Sequence, residues 1–269
     1  MKNRYVEREL AGEITQKYEY LQQEDPSQVR MKCRQAVRRE IEKNSQIHSY
    51  RIEESKKGIP FSVPRNRHKS GIHKGIQNIE NAFLWGISHF DPETVDEALI
   101  KGIAGRISPE LYHSDNARYR DTRARITGAR VIPPDTYKLT TREMPNFVAS
   151  LKERLECPKI VNKVESAIFA HLGIARIHPF LDGNGRTARI LQDVILNHYD
   201  IPAPIIEAGE RMIYYDLLER AVIEMVELEA SGETPGITPG EGMFYDFIAG
   251  KINVSLDRIL ASCQNHSGH

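Results

Sequence analysis

Ile177-His178-Pro179-Phe180-Leu181-Asp182-Gly183-Asn184-Gly185-Arg186-Thr187-Ala188-Arg189 gathers an imidazole, a carboxylate, an amide between two glycines and two guanidinium groups. All of them fall in about one loop and one helical turn. On the N-terminal side, Val161 to Ile177 reads as helix, because Val164, Ile168, His171, Leu172 and Ala175 recur at helical spacing. On the C-terminal side Ile190, Leu191, Val194 and Ile195 continue the same pattern. The stretch therefore predicts a loop between two core helices, and a packed helix pair is a rigid mount for a site.

Each residue type in the loop carries a chemical reason. Gly183-Asn184-Gly185 lets the backbone take positive φ and bring its N–H groups close to a ligand, as a concave anion nest. A helix starting at about Gly185 adds its dipole and its unpaired amides, which suits a phosphate. Arg186 and Arg189, three apart, share a helical face from which forked guanidinium groups can clamp further phosphate oxygens. Asp182 supplies a hard oxygen for a magnesium ion bridging a nucleotide's phosphates. His178 can take a proton from an incoming hydroxyl near neutral pH. A lone Gly-Asn-Gly is most often a turn; the fixed offsets of the histidine, carboxylate and arginines favour the phosphate site.

With those residues in view, His178 to Arg189 resembles the signature of the Fic family, HPFx[DE]GNGRxxR, with every specified position matched. The resemblance implies an all-α fold, a helical core with a short β-hairpin flap, here preceded by an N-terminal helical region. It implies transfer of AMP from ATP to a hydroxyl side chain of a target protein. In that scheme His178 is the general base, Asp182 the Mg2+ ligand, and Gly183, Asn184 and Gly185 cradle the phosphates. Arg186 and Arg189 hold the outer phosphates, and Phe180 packs inward. The expected organisation is an N-terminal helical region over 1–92, a Fic core over 93–235, and a closing helix and tail over 236–269.

Composition sets the outer frame. The chain has 269 residues, enough to bury a sizeable core, with 37 lysines plus arginines against 37 aspartates plus glutamates. A net charge of zero gives no global field toward nucleic acid or membrane. No run of about eighteen apolar residues is present, and Met1 to Leu10 lacks the apolar core of a signal peptide. Cys33, Cys157 and Cys263 show neither a disulfide framework nor a metal spacing, which suits a reducing cytoplasm. The partners expected are ATP and a target protein with an exposed Ser, Thr or Tyr; a homodimer is left open.

Met1 to about Asp25 reads as a charged helix with Tyr5, Leu10, Ile14, Tyr18 and Leu21 as its buried stripe. Val29 to Lys43 is dense in charge, and Arg30, Lys32, Arg34, Arg38 and Arg39 could meet nucleic-acid phosphates. A solvated helix with Glu40 and Glu42 as partial partners is favoured instead, since no DNA-reading motif accompanies them. Ser49 to Glu54 is an ordinary exposed helical turn by composition. It is similar, however, to the inhibitory-helix pattern [ST]xxxE[GN] of Fic relatives, with Glu54 in place of Gly or Asn. That resemblance implies an inhibitory helix near 45–55, in which Ser49 and Glu53 belong to the inhibitory segment and Glu53 pairs with Arg189.

Phe61 to Gly75, with its prolines and glycines, predicts a loop, and Ile76 to His89 a helix. Asp91 or Thr94 is the expected cap of the next helix, and Thr140 or Thr141 the cap of one running to Glu156. Arg118 to Arg130 surrounds Ile126-Thr127-Gly128-Ala129, a weak hairpin signal. In the Fic family this region is the flap, so the resemblance implies that Ile126, Thr127, Gly128 and Ala129 touch the nucleotide. Tyr214 and Tyr215 fall where relatives place a tyrosine pair beside adenine; plain core is the equal alternative. Val222 stands where relatives often have asparagine, which leaves other nucleotides open. A regulatory ATP-binding module with little catalysis, or a nucleic-acid binder, are the competing functions.

Overall fold

The computed structural model describes residues 5–23, 28–54, 65–112, 115–124, 130, 132–232 and 236–264. Along the chain run α1 (Arg8–Gln23), α2 (Gln28–Glu54), α3 (Arg65–His89), α4 (Glu97–Ile107) and a single turn, α5 (Pro109–Tyr112). They are followed by the short α6 (Thr136–Lys138), a π-helical turn over Leu139–Glu143, then α7 (Met144–Leu155), α8 (Ile160–Ile177) and α9 (Asn184–His198). A 3-10 turn at Ala208–Glu210 leads into α10 (Arg211–Ser231) and α11 (Pro239–Gln264). Among the described residues there is no strand, so the architecture is all-helical.

The centre of the fold is α8, because its sequence is apolar on nearly every side: Val161, Val164, Ile168, Leu172 and Ile174 are buried. Helix α9 packs along it, α7 covers a second side, and α3 and α4 close over α9. A separate pair, α10 with α11, leans on α8, and α1 lies on α11. The polar residues that α8 does bury are satisfied. Glu165 Oε1 accepts the backbone N–H groups of Tyr5 and Val6 at 2.9 and 3.0 Å, fixing the entry to α1. Lys163 donates to the Leu155 carbonyl and, at 3.2 Å, to the Tyr199 hydroxyl.

Helix α2 crosses α9, α3 and α11. It is continuous to Glu54, where the sequence suggested two pieces. Its fully buried Ile52 contributes roughly 1.5–3 kcal/mol of apolar burial at the end nearest the motif. Two basic residues of this helix serve the fold, and the first, Arg34, donates to the Leu21 carbonyl at 2.8 Å. Arg38 reaches Asp200 at 2.8 Å and Glu42 at 3.3 Å.

Three expectations differ from the structure. Helix α3 begins at Arg65, inside the stretch expected to be loop. Gly75, read as a breaker, lies where an added Cβ would meet the Tyr50 ring at 2.0 Å, so it marks the close approach of α2 and α3. The cap of α4 is Asp96, whose carboxylate accepts the Leu99 N–H at 3.0 Å; Asp91 instead closes the preceding turn by accepting the Glu93 N–H. Likewise Asp135 caps the turn before α7 by accepting the Lys138 N–H at 2.8 Å, while the hydroxyls of Thr140 and Thr141 bond back to Tyr137. The expected flap hairpin is centred on Ile126, Thr127, Gly128 and Ala129, which lie outside the described residues.

Candidate functional site

The motif loop hangs between α8 and α9. His178 ends α8 in the left-handed region, φ 52° and ψ 56°, an uncommon place for a residue with a Cβ. Its N–H donates to the Ile174 carbonyl at 2.9 Å, and its own carbonyl accepts from Arg120 Nε at 2.8 Å. Phe180 is fully buried, and its N–H and carbonyl are both held by the Asn184 side-chain amide at 2.8 Å. Asn184 therefore braces the loop from within. Gly183 stands at φ 80° with Ile107 and Ser108 3.2 Å from where a Cβ would sit, so both conformation and space call for glycine.

Helix α9 starts at Asn184, and its first i→i−4 bond runs from the Thr187 N–H to the Gly183 carbonyl. The amides before Thr187 thus have no partner within the helix and, with the dipole, favour an anion. A carboxylate is found there. Glu53 Oε1 lies 2.2 Å from where a Cβ on Gly185 would be, so Gly185 admits the side chain that ends α2. The same oxygen accepts from Arg189 Nη2 at 3.1 Å and from the Tyr215 hydroxyl at 3.3 Å. Arg189 is 4% exposed and also donates to the Ser49 hydroxyl at 2.8 Å and the Ser49 carbonyl at 3.1 Å. Burial alone would lower the Arg189 pKa; Tyr214, Glu53 and Tyr215 more than reverse this, so the guanidinium stays charged. Arg186 turns the other way and pairs with Asp182 at 2.9 Å at the solvent edge.

Behind Arg189 runs a closed polar circuit. Arg189 Nη1 donates to the Tyr214 hydroxyl at 3.2 Å, Tyr214 meets His171 Nε2 at 2.8 Å, and His171 Nδ1 meets Gln192 Oε1 at 2.8 Å. Gln192 donates to Asp193 at 3.3 Å, and Asp193 accepts from Ser45 at 2.8 Å, which returns the chain of bonds to α2. Burial holds His171 down at about 3, with the Gln192 hydrogen bond opposing and Arg189 adding, so the ring is neutral. It donates through Nδ1 and accepts at Nε2.

Asp193 is pushed up to about 7 by burial and by Glu42, against the hydrogen bonds of Ser45 and Gln192 and the charge of Arg189. Between about 4 and 7 the folded chain holds a proton there that the unfolded chain has released, so stability falls as pH rises through that window. Asp193→Asn removes this loss, and we expect its Tm to gain on the unaltered chain as pH goes from 5 to 8. At about 1.4 kcal/mol per pKa unit the gain is of order a few kcal/mol. A Tm difference that does not change with pH overturns the assignment.

The structure brings Ser49, Glu53, Gly185, Arg189 and Tyr215 together, with His178, Asp182 and Arg186 on the adjoining loop and turn. Tyr214 differs from Tyr215: it is fully buried, packed against His171 and Phe244, and presents no face to a ligand in this arrangement. Val222 is buried as well. Among the described residues no group of three or more His, Cys, Asp or Glu is placed to hold a metal ion. Asp182 stands as a half-exposed carboxylate at the mouth of the site. A lone carboxylate fits a magnesium ion that takes its remaining ligands from phosphates and water, and does not fit a cage made by the protein alone. Arg120 and Asp193 were missed from the sequence, since each acts through partners remote in the chain.

Comparison with known proteins bears on the fold and on the stretch that carries the loop. Residues 94–196 match the model of the Fic/DOC family. A Nematostella vectensis protein named protein adenylyltransferase Fic is 29% identical over 171 residues, which is 63% of this chain and 38% of that relative. The chain thus spans about two fifths of the relative's length. Among solved structures, Fic-1 (residues 134–508) from C. elegans superposes with a TM-score of 0.68 at 18% identity, covering 97% of this chain and 73% of that one. A Fic-domain signalling protein from Bacteroides thetaiotaomicron gives a TM-score of 0.70 at 18% identity, covering 96% and 98%. No described helix is long and apolar enough to cross a membrane. The matched residues 94–196 carry the loop and both of its core helices up to Leu196, so it is this part of the chain that is similar to the Fic/DOC family.

Proposed function

We propose that the chain is a protein adenylyltransferase that moves AMP from ATP to a hydroxyl side chain of a target protein, and that Glu53 holds this activity off. The observation that carries the reading is the Glu53 carboxylate against Gly185, bonded to Arg189. A helix N-terminus with a buried guanidinium beside it is built for an anion, and an internal carboxylate takes that place. When Glu53 leaves, the first-turn amides of α9, Arg186 and Arg189 receive the phosphates.

A target hydroxyl then attacks the α-phosphorus in line. His178 takes the hydroxyl proton, a new P–O bond forms to the target oxygen, and the bond to the β-phosphate oxygen breaks. Pyrophosphate leaves on the arginine side. Asp182 would hold a magnesium ion that would supply neutralisation of phosphate charge, and the positioning belongs to the chain's own amides and guanidinium groups. Buried Tyr214 and Val222 favour a second reading in which the base is not held as adenine usually is, so the donor is another nucleotide.

Intact-mass measurement of the Glu53→Gly chain after incubation with ATP, GTP or UTP separates these. A mass increment of one AMP group with ATP supports the proposal. An increment confined to another nucleotide selects the second reading, and no increment with any of them overturns both.

A further inference from the structure

We propose that Arg120 is a positioning residue for His178, and that it couples the histidine loop to both ends of the segment 123–133. This rests on the reading of His178 as the base. Arg120 is 2% exposed, yet among the described residues its hydrogen-bond acceptors are all neutral backbone carbonyls. Its Nε donates to the His178 carbonyl at 2.8 Å, and its backbone N–H to the Pro179 carbonyl at 2.9 Å. Of the other two arms, Nη1 donates to the Thr122 carbonyl at 3.0 Å and Nη2 to the Pro134 carbonyl.

A buried cation with no carboxylate in contact among the described residues is costly, and burial lowers the Arg120 pKa, with the charge of Asp135 opposing. An apolar side chain of similar size would fill the space without that cost. What it could not do is fix the carbonyls of His178, Thr122 and Pro134 in one planar fork. One of the three belongs to His178, the residue held in the left-handed region, and the Arg120 backbone N–H holds the next carbonyl, of Pro179. Its N–H is tied to Ile174 and its carbonyl to Arg120, so both sides of the Cα that carries the imidazole are pinned. The remaining two carbonyls, of Thr122 and Pro134, bracket the segment 123–133. One guanidinium thereby sets the distance between that segment's ends and the histidine.

The test uses Arg120→Met and Arg120→Lys in the Glu53→Gly chain, with three readouts: kcat, KM for ATP, and the imidazole 15N signals of His178, assigned by their loss in His178→Ala. The Met variant is expected to lower kcat about 10- to 100-fold, the scale of a misplaced catalytic group. Its KM for ATP stays within about twofold, because the fork touches neither the α9 amides nor Arg189. The His178 signals move or broaden in the same variant. Lysine, a cation without the fork, restores part of kcat, and it carries the test alone if the Met variant fails to fold. A kcat equal to the parent's, a rise in KM that accounts for the loss, or unchanged His178 signals overturns the proposal. If the parent transfers no nucleotide, the proposed function fails, and the 15N signals still decide whether Arg120 sets the imidazole.

Discussion

Replacing Glu53 by glycine raises AMP incorporation into the chain itself by about 10- to 100-fold, as read by labelling with ATP carrying a radioactive α-phosphate. The magnitude comes from the contact that is lost. Glu53 Oε1 accepts from Arg189 at 3.1 Å and from Tyr215 at 3.3 Å beside the α9 N-terminus. A hydrogen bond to a charged group contributes about 1.5–3 kcal/mol, and about 1.4 kcal/mol is a factor of ten in an equilibrium or a rate. A carboxylate that must be displaced before phosphates can enter therefore suppresses the active state by about that factor.

The helix that carries Glu53 stays in place without it. Ile41 and Ile52 remain buried, Ser49 still meets Arg189, and Ser45 still meets Asp193. The variant pays elsewhere: Arg189, buried and charged, loses its anionic partner. Its Tm is expected to fall by a few degrees without nucleotide and to recover with ATP, since a ligand that binds the folded state stabilises it. Labelling that does not rise, in a variant that ATP still protects against heat, selects the regulatory module. Absence of both effects removes the anion site itself.

What was legible in the sequence is what local spacing encodes. Helical periodicity on both sides of the motif placed α8 and α9 correctly, because their buried stripes repeat within a turn or two. Gly183 is visible as a glycine at positive φ, and His171 as part of the buried stripe of α8. Ser49 and Glu53 on one side and Arg189 on the other became a pair through resemblance, over a sequence separation of 136 between Glu53 and Arg189. No spacing rule spans that distance. Arg120 is the clearest case of a residue that stayed hidden. It sits among other arginines, and its bond to His178 crosses 58 positions, so nothing local separates a strut from a solvated charge. Capping failed for a different reason. Asp91, Thr94 and Asp96 are all competent caps, as are Asp135, Thr140 and Thr141, and tertiary contacts choose among equals. Gly75 misled because glycine signals both a chain break and a close helix contact, and Tyr50 decides for the second.

In the Glu53→Gly chain, His178→Ala lowers AMP transfer by about 10²- to 10⁴-fold, the usual contribution of a placed general base, while ATP affinity stays within about twofold. The separation of the two effects follows from position. The phosphate contacts assigned to this site come from the α9 amides, Arg186 and Arg189, none of which uses the imidazole. His178 lies before them, at the end of α8, braced on its N–H side by Ile174 and on its carbonyl side by Arg120. Truncation has one side effect to control, since the residue sits at φ 52°, where a residue with a Cβ is strained. Asparagine tolerates that region better and has no basic nitrogen, so His178→Asn keeps the loop and removes the base. Both variants are expected to lose transfer alike, and added imidazole to restore part of it to the alanine variant, which leaves room for the ring. Transfer within tenfold of the parent in either variant, or loss of ATP affinity in step with the rate, would show that His178 shapes the loop and does not take the proton.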